Sequence, residues 1–575
     1  MIDIMNRQEI ITVIKNNPEV SVFIVGAGIN GIGTFRDLVL QGVDVLLVDK
    51  GDFCSGASSA SSHMVHGGIR YLENGEFRLV REAVRERNFL LENAPHYVKP
   101  LPTTFPIFKW FSGLFNAPMK FTGLLNRPAE RGAIIIKLGM MMYDAYTRHK
   151  GTVPPHKFTS RKKSLEQFPL INPDIVSTAT YYDGAMPTPE RICIDLLLDA
   201  EEDAKIIGGR AMWINYMRLI EASGNTVKLC DDLSGEIFSV KPRLVINATG
   251  PWIDFTNAAM GFKTNFIGGT KGSHIVLNHS ELRRAINNNE FFFENYDGRI
   301  VLIFPLMDKV LVGTSDLPID NPETARCTEG EIDYFLTMIN KVFPSIKVDR
   351  SHIVFRFSGV RPLPTSKASL TGQISRDHRI EVIESENHND FPIYNLIGGK
   401  WTTFRSFSEQ VTDKVLMYLN LVRRYSTEDL PIGGGKKYPH TQTERQDWLK
   451  RLQSSTGLSI DRLENIFNRY GSRAEIIARY IIDGDDRPLT CLTDFSVREV
   501  SYIVLNERVI HLDDFILRRS LLAMLGMLTA SNIEELALII KDALGWSNDQ
   551  CQREVRRTVD ILSEKHGISY SEELV

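Results

Sequence analysis

The sequence predicts an α/β protein in which a parallel-sheet domain is interleaved with a mainly antiparallel β domain and followed by an all-α C-terminal domain. Three observations carry this. Residues 22–50, VFIVGAGINGIGTFRDLVLQGVDVLLVDK, run from an apolar strand through a glycine turn and an amphipathic helix to a second strand. Groups of strand-like runs alternate with helices as far as residue 358. Beyond EDLPIGGGKKYPHTQTE (428–444), where three glycines stand between prolines, the pattern becomes almost wholly helical.

In order, Val22–Val25 reads as a buried strand. Ile29, Ile32, Phe35, Leu38 and Val39 share one helical face, and Val43–Val48 is a second buried strand. A serine-rich loop (55–62) precedes a helix over about 77–91, and residues 100–126 show no clean period. A helix over 191–207 leads to strands near 210–220, 225–230 and 243–250. Further strands are expected at 274–278, 300–304, 309–314 and 353–358, with a helix at 331–343. The expected division is one region over 1–430 and a helical domain over 431–575. Within the first, nucleotide-binding segments fall at about 20–100, 190–260 and 350–425, and cap segments at about 100–190 and 260–350.

Composition narrows the class. With 43% apolar and 24% charged residues the chain of 575 is an ordinary globular protein, too long for one core. A net charge of −4 gives no general attraction to nucleic acid, so no nucleic-acid partner is expected. Six scattered cysteines form no C-x-x-C pair, which argues against a disulfide framework, a metal site or a dithiol redox centre and fits a reducing cytoplasm. The first residues have no signal-peptide pattern, and no run approaches the ~18 apolar residues of a membrane span.

Gly26, Gly28 and Gly31 form G-x-G-x-x-G between strand and helix. The first permits the tight turn, the second lets backbone approach a pyrophosphate, and the third lets helix pack on strand. Asp49 closes the second strand, where a carboxylate accepts hydrogen bonds from a ribose. Dinucleotide binding follows, but the fingerprint alone leaves NAD and FAD open. No second fingerprint occurs, which disfavours an enzyme binding both. The hydroxyl-rich loop GASSASSHMVHGGIRYLE (56–73) and the small-residue turn NATG (247–250) suit a long flavin dinucleotide clasped by distant segments.

GINGIG, SSASSHMVHGGIRYLE, FRLVREAVRERNFLLENAPH, NATGPW, KGSHIV, SGVRPL, SRDHR and GGKWTTFR, in this order, resemble the FAD-dependent glycerol-3-phosphate dehydrogenases over about residues 20–410. The resemblance implies a glutathione-reductase-like Rossmann fold, bound FAD, and oxidation of sn-glycerol 3-phosphate to dihydroxyacetone phosphate by hydride transfer to flavin N5. It also implies a cytoplasmic location, peripheral on the inner face of the membrane, with electrons passed to a quinone-type acceptor. A sister group of oxidases passes them to oxygen. A homodimer is compatible with the sequence. Cofactor contacts are expected from Gly26, Ala27, Gly28, Asn30, Gly31, Asp49, Ser58, Ser59, Ser61, Ser62, Gly67, Gly68, Thr249, Gly250, Gly399, Lys400 and Thr402.

This chemistry needs a base that titrates near neutrality, cations for a phosphate dianion, and positive charge near the flavin. The resemblance places His274 at the substrate side of the flavin as the base, with His66 in reserve. Taken alone, a histidine on a strand is more often structural. Arg361, Arg376 and Arg70 are the candidate phosphate ligands, with Arg361 also stabilising oxygen charge, and Lys400 is placed near flavin and substrate. The chain departs from the family at YYDGAMPTPERI, where Pro189 and Glu190 precede Arg191 and one residue is added after Asp183. A reshaped substrate wall would admit a longer polyol phosphate such as a tetritol phosphate. Residues 107–125 read equally as an interfacial segment or a buried flap. A flavin-binding regulatory protein without turnover is the reading from another class.

Overall fold

The computed structural model describes residues 5–69, 76–109, 137, 140–141, 143–144, 153–295, 300–365, 376–385 and 389–570. Arg70 and most of 107–125 lie outside these described residues. The first sheet is centred on Glu19–Val25, which pairs in parallel with Val45–Val48 on one side and Ile237–Asn247 on the other. Ala211–Ile214 and Ile393–Ile397 extend it in parallel, and Arg379–Ile383 adds an antiparallel edge. Val45–Val48 and Ile393–Ile397 are buried throughout, as apolar strands covered on both faces must be. Helix Ile29–Leu40 packs between Pro189–Ile207 and Phe404–Leu419 beside this sheet.

A second, ten-stranded sheet draws on residues 64–185 and 270–361, and its pairs are antiparallel except that Glu290–Glu294 runs parallel to Lys99–Ile107. Ile353–Arg361, expected among the nucleotide-binding segments, instead pairs along its length with Thr270–Leu277. Lys99–Ile107 is a strand where no clean period is visible, because prolines at 100, 102 and 106 break the alternation.

Helices Gln442–Thr456, Ile460–Tyr470, Ala474–Ile482, Val497–Asn506, Ala530–Leu544 and Asn548–His566 follow. Their core, including Phe467, Ile503, Phe515 and Leu536, is continuous with Leu302, Phe355 and Phe357 of the second sheet. The glycines before these helices are a close-packing device rather than a loose tether. A Cβ at Gly434 would stand 1.9 Å from the Tyr470 carbonyl oxygen, and one at Gly435 2.1 Å from that of Asn93. Among the described residues no helix is long and apolar enough to cross a membrane.

Candidate active site

The glycine turn is built by exclusion of side chains. A Cβ at Gly26 (φ 104°) would lie 2.7 Å from the Ala248 carbonyl, and one at Gly31 2.0 Å from the Gly26 carbonyl oxygen. Gly28 caps helix Ile29–Leu40 without a side chain, so the free N–H groups of its first turn are open to an anion. Ser58 Oγ accepts from Ile29 N–H at 3.0 Å. Asp49 accepts from Ala27 N–H at 2.7 Å and Gly51 N–H at 2.9 Å, and burial pushes its carboxyl up to about 6.

Distant segments close on this turn. Asn30 Nδ2 donates to the Gly398 carbonyl at 3.3 Å, and a Cβ at Gly399 would strike it at 2.7 Å. Trp401 Nε1 donates to the Ser58 carbonyl, and His66 N–H to Thr402 Oγ1. Together they enclose a cavity of ≈ 1660 Å³. That exceeds the ~300–1,000 Å³ of a single small-molecule pocket and leaves room for a dinucleotide and a second reactant. Of the expected cofactor contacts, Gly26, Gly28, Asn30, Asp49, Ser58, Ser59, Ser61, Ser62, Gly68, Thr249, Gly250, Gly399, Lys400 and Thr402 line it. Ala27, Gly31 and Gly67 do not. Gly31 serves helix packing, and Gly67 N–H donates to buried Asp183 at 3.0 Å. The glycine cradle, the open helix terminus and the hydroxyl-lined wall fit FAD.

The other part of the cavity holds the expected substrate residues. His274 is buried on strand Thr270–Leu277 between two neighbours. Phe357 stacks on it with ring centroids 4.8 Å apart, and Gly313 leaves room for the ring on the opposite strand. Ser62 Oγ and His274 Nε2 are hydrogen bonded at 2.9 Å. Burial holds the imidazole well below its ordinary pKa, helped by the charge of Arg361, so it is neutral at pH 7.

Arg361 lies across Gly272, where a Cβ would stand 2.3 Å from Nη2. Its guanidinium donates to Asp316 Oδ1 at 3.1 Å, Thr314 Oγ1 at 2.8 Å and the Ser315 carbonyl at 3.2 Å. Asp316 also faces Arg376 at 3.7 Å, so one carboxylate spans both guanidiniums. His66 is pushed down to about 3, first by burial and then by Lys400 and Arg376, which ties all three to one corner. His274, Arg361, Arg376 and Lys400 thus share one cavity.

Sequence reasoning passes over Asp316, although it closes the VGTSD turn after a strand, the kind of position where a short polar motif signals a site. It also passes over the role of Asp183, which accepts from Tyr143 Oη at 2.5 Å as well as from Gly67 and faces Arg87 Nη1 at 3.4 Å. In the departing segment Asp183 and Glu190 line the cavity whereas 184–189 do not, and burial pushes Glu190 up to about 8. Although 139 residues apart in the chain, Cys54 and Cys193 meet as free thiols with Sγ atoms 2.8 Å apart. Both are buried, and burial pushes the Cys54 thiol up, so it is a protonated, unreactive thiol.

A dinucleotide cradle opening on a neutral imidazole and paired arginines defines an oxidoreductase that works with a bound dinucleotide. Comparison with known proteins narrows this. Residues 21–396 match the FAD dependent oxidoreductase family, and residues 425–551 match the C-terminal domain of alpha-glycerophosphate oxidase. A glycerol-3-phosphate dehydrogenase of Synechocystis sp. is 32% identical over 96% of this chain and 98% of its own. D-erythritol 1-phosphate dehydrogenase of Brucella abortus is 29% identical over 87% and 93%. The structure of the Bacillus halodurans glycerol-3-phosphate dehydrogenase complexed with FAD has the same fold, with a TM-score of 0.73 at 22% identity over 97% of both chains. The chain belongs to the FAD-dependent oxidoreductases and, within them, to the glycerol-3-phosphate dehydrogenase family.

Proposed function

We propose that this chain oxidises sn-glycerol 3-phosphate to dihydroxyacetone phosphate. The observation that carries the reading is the neutral, buried His274 set beside the Arg361–Asp316–Arg376 group in the cavity that holds the dinucleotide cradle. FAD, held by Gly26, Gly28, Asp49, Ser58 and Thr402, supplies the acceptor for the hydride leaving the carbinol carbon. Arg361 and Arg376 grip the phosphate dianion, and Asp316 keeps both guanidiniums aimed. His274 takes the hydroxyl proton at Nε2, the nitrogen on which Ser62 now stands. The bound dianion offsets the charge of Arg361 and so raises the basicity of His274 at the moment it is needed. Lys400 adds positive charge at the same corner. Anaerobic bleaching of the flavin by sn-glycerol 3-phosphate, with a tetritol phosphate as comparison, tests the substrate. A faster response to the tetritol phosphate would reassign it.

A quinone-type acceptor at the membrane surface completes the reading. It is supported by the apolar end of helix Phe404–Leu419 and the residues beyond it, where Met417 is 77% and Val422 83% exposed, with Leu421 exposed beside them. Arg424 and Lys414 add the cations that an anionic lipid surface attracts. Sedimentation with anionic vesicles, against neutral ones, tests the membrane contact. Turnover with a quinone analogue, against peroxide formation in air, tests the acceptor.

A further inference from the structure

Asp52 lies three residues beyond Asp49, in the loop that carries Ser58 and Ser62, and is 1% exposed. The helical domain holds its carboxylate. Arg518 Nε donates to Oδ2 at 2.6 Å, and Arg519 donates to Oδ2 at 2.9 Å and to Oδ1 at 3.1 Å. Asn215 Nδ2 supplies a further donor at 3.0 Å. Both arginines come from the π-helical turn Phe515–Arg519, a rare element that occurs mostly at functional positions. Burial alone would raise the Asp52 carboxyl. The guanidiniums of Arg519 and Arg518 outweigh it and keep the carboxylate ionised.

Several other tethers of this loop belong to the cofactor cradle. Gly51 N–H donates to Asp49, Cys54 N–H to the Ala27 carbonyl at 2.8 Å, and Ser58 receives Ile29 N–H. Asp52 is therefore the point at which the helical domain grips the cradle. Leu517, Arg518 and Met524 of that domain also line the cavity itself. Fully buried ion pairs are costly, and a good use of that cost is to fix one geometry.

We propose that Arg518 and Arg519 are positioning residues for FAD: by gripping Asp52 they clamp loop 51–62 on the cofactor, so that docking of the helical domain and retention of FAD form one linked equilibrium. The clamp rests on the FAD reading above. Its first test is the rate at which FAD fluorescence appears on dilution of purified holoenzyme, well below the unfolding transition. R518Q and D52N are expected to release FAD ~10-fold faster or more, with R518K falling between them and the wild type. The second test is amide exchange in residues 512–522 of the wild type. Adding FAD to the stripped protein is expected to slow it, because linkage is reciprocal, and the effect should vanish in R518Q. Unchanged release in R518Q, or exchange indifferent to FAD in the wild type, would overturn the clamp. Should D52N not fold, R518K and the wild-type exchange comparison decide. A protein that takes up no flavin would overturn the cofactor reading itself, whereas flavin bound and released at the wild-type rate overturns the clamp alone.

Discussion

The imidazole of His274 lies against the backbone of Gly313, where a Cβ would stand 2.1 Å from Cδ2. The two are direct partners on neighbouring antiparallel strands, and Phe357 closes the other side with its ring plane 9° from that of the imidazole. The ring has no room to yield. G313A is therefore expected to keep its FAD but to be reduced by substrate ~10²-fold more slowly, the usual cost of a ~1 Å misplacement. Anaerobic bleaching measures this. A wild-type rate would mean that the ring's seat does not matter.

The pH profile follows from the same ring. Because burial, then Arg361, hold His274 well below its ordinary value, kcat/KM divided by the fraction of substrate present as phosphate dianion (second pKa about 6) should show no acid limb near pH 6.5 in the wild type. Removing the cation in R361Q favours the protonated imidazole, so the limb should move up toward neutrality as substrate binding weakens. Identical limbs in the two proteins would separate Arg361 from His274.

Arg376 meets Asp316 but donates no hydrogen bond to His274, so its loss should act on capture rather than on chemistry. R376Q is expected to raise KM by about 10- to 100-fold, the worth of one or two charged hydrogen bonds at ~1.5 kcal/mol each, with kcat within a few-fold. Steady-state kinetics, with inorganic phosphate as competitor, check this. A fall in kcat at unchanged KM would contradict it.

Glu290 offers a stability test away from the chemistry. It is fully buried, accepts from Thr103 Oγ1 at 2.8 Å, and burial pushes its carboxyl up to about 8. A carboxyl raised on folding contributes its full stability below the unfolded value near 4.5 and loses it as pH climbs through 8. E290Q should thus gain stability over the wild type, by several kcal/mol, as pH is raised from 5 to 8. Melting temperatures across that range report it. A difference independent of pH would refute the neutral acid.

What is legible in the sequence is what local chemistry encodes. Gly26, Gly28, Gly31 and Asp49 lie within one βαβ unit, and the strand, turn and carboxylate can be read without knowing the rest of the fold. His274, Arg361 and Arg376 are found only through motif resemblance, since nothing in their own neighbourhoods distinguishes them from structural residues. Asp316 stays hidden because its role exists only once strand pairing sets residues 313–316 beside 361 and 376. The partners of Asp52 are more hidden still, 466 and 467 residues further along the chain. Only the folded geometry shows which loop Arg518 and Arg519 hold.

The most direct test of the chemistry is anaerobic stopped-flow reduction of the bound flavin by sn-glycerol 3-phosphate, comparing wild type with H274A. The expected result is rapid bleaching of the wild type and a yellow H274A protein reduced ~10²-fold more slowly or worse. Equal rates in the two proteins, or no bleaching of the wild type by this or any other polyol phosphate, would contradict the proposed reaction.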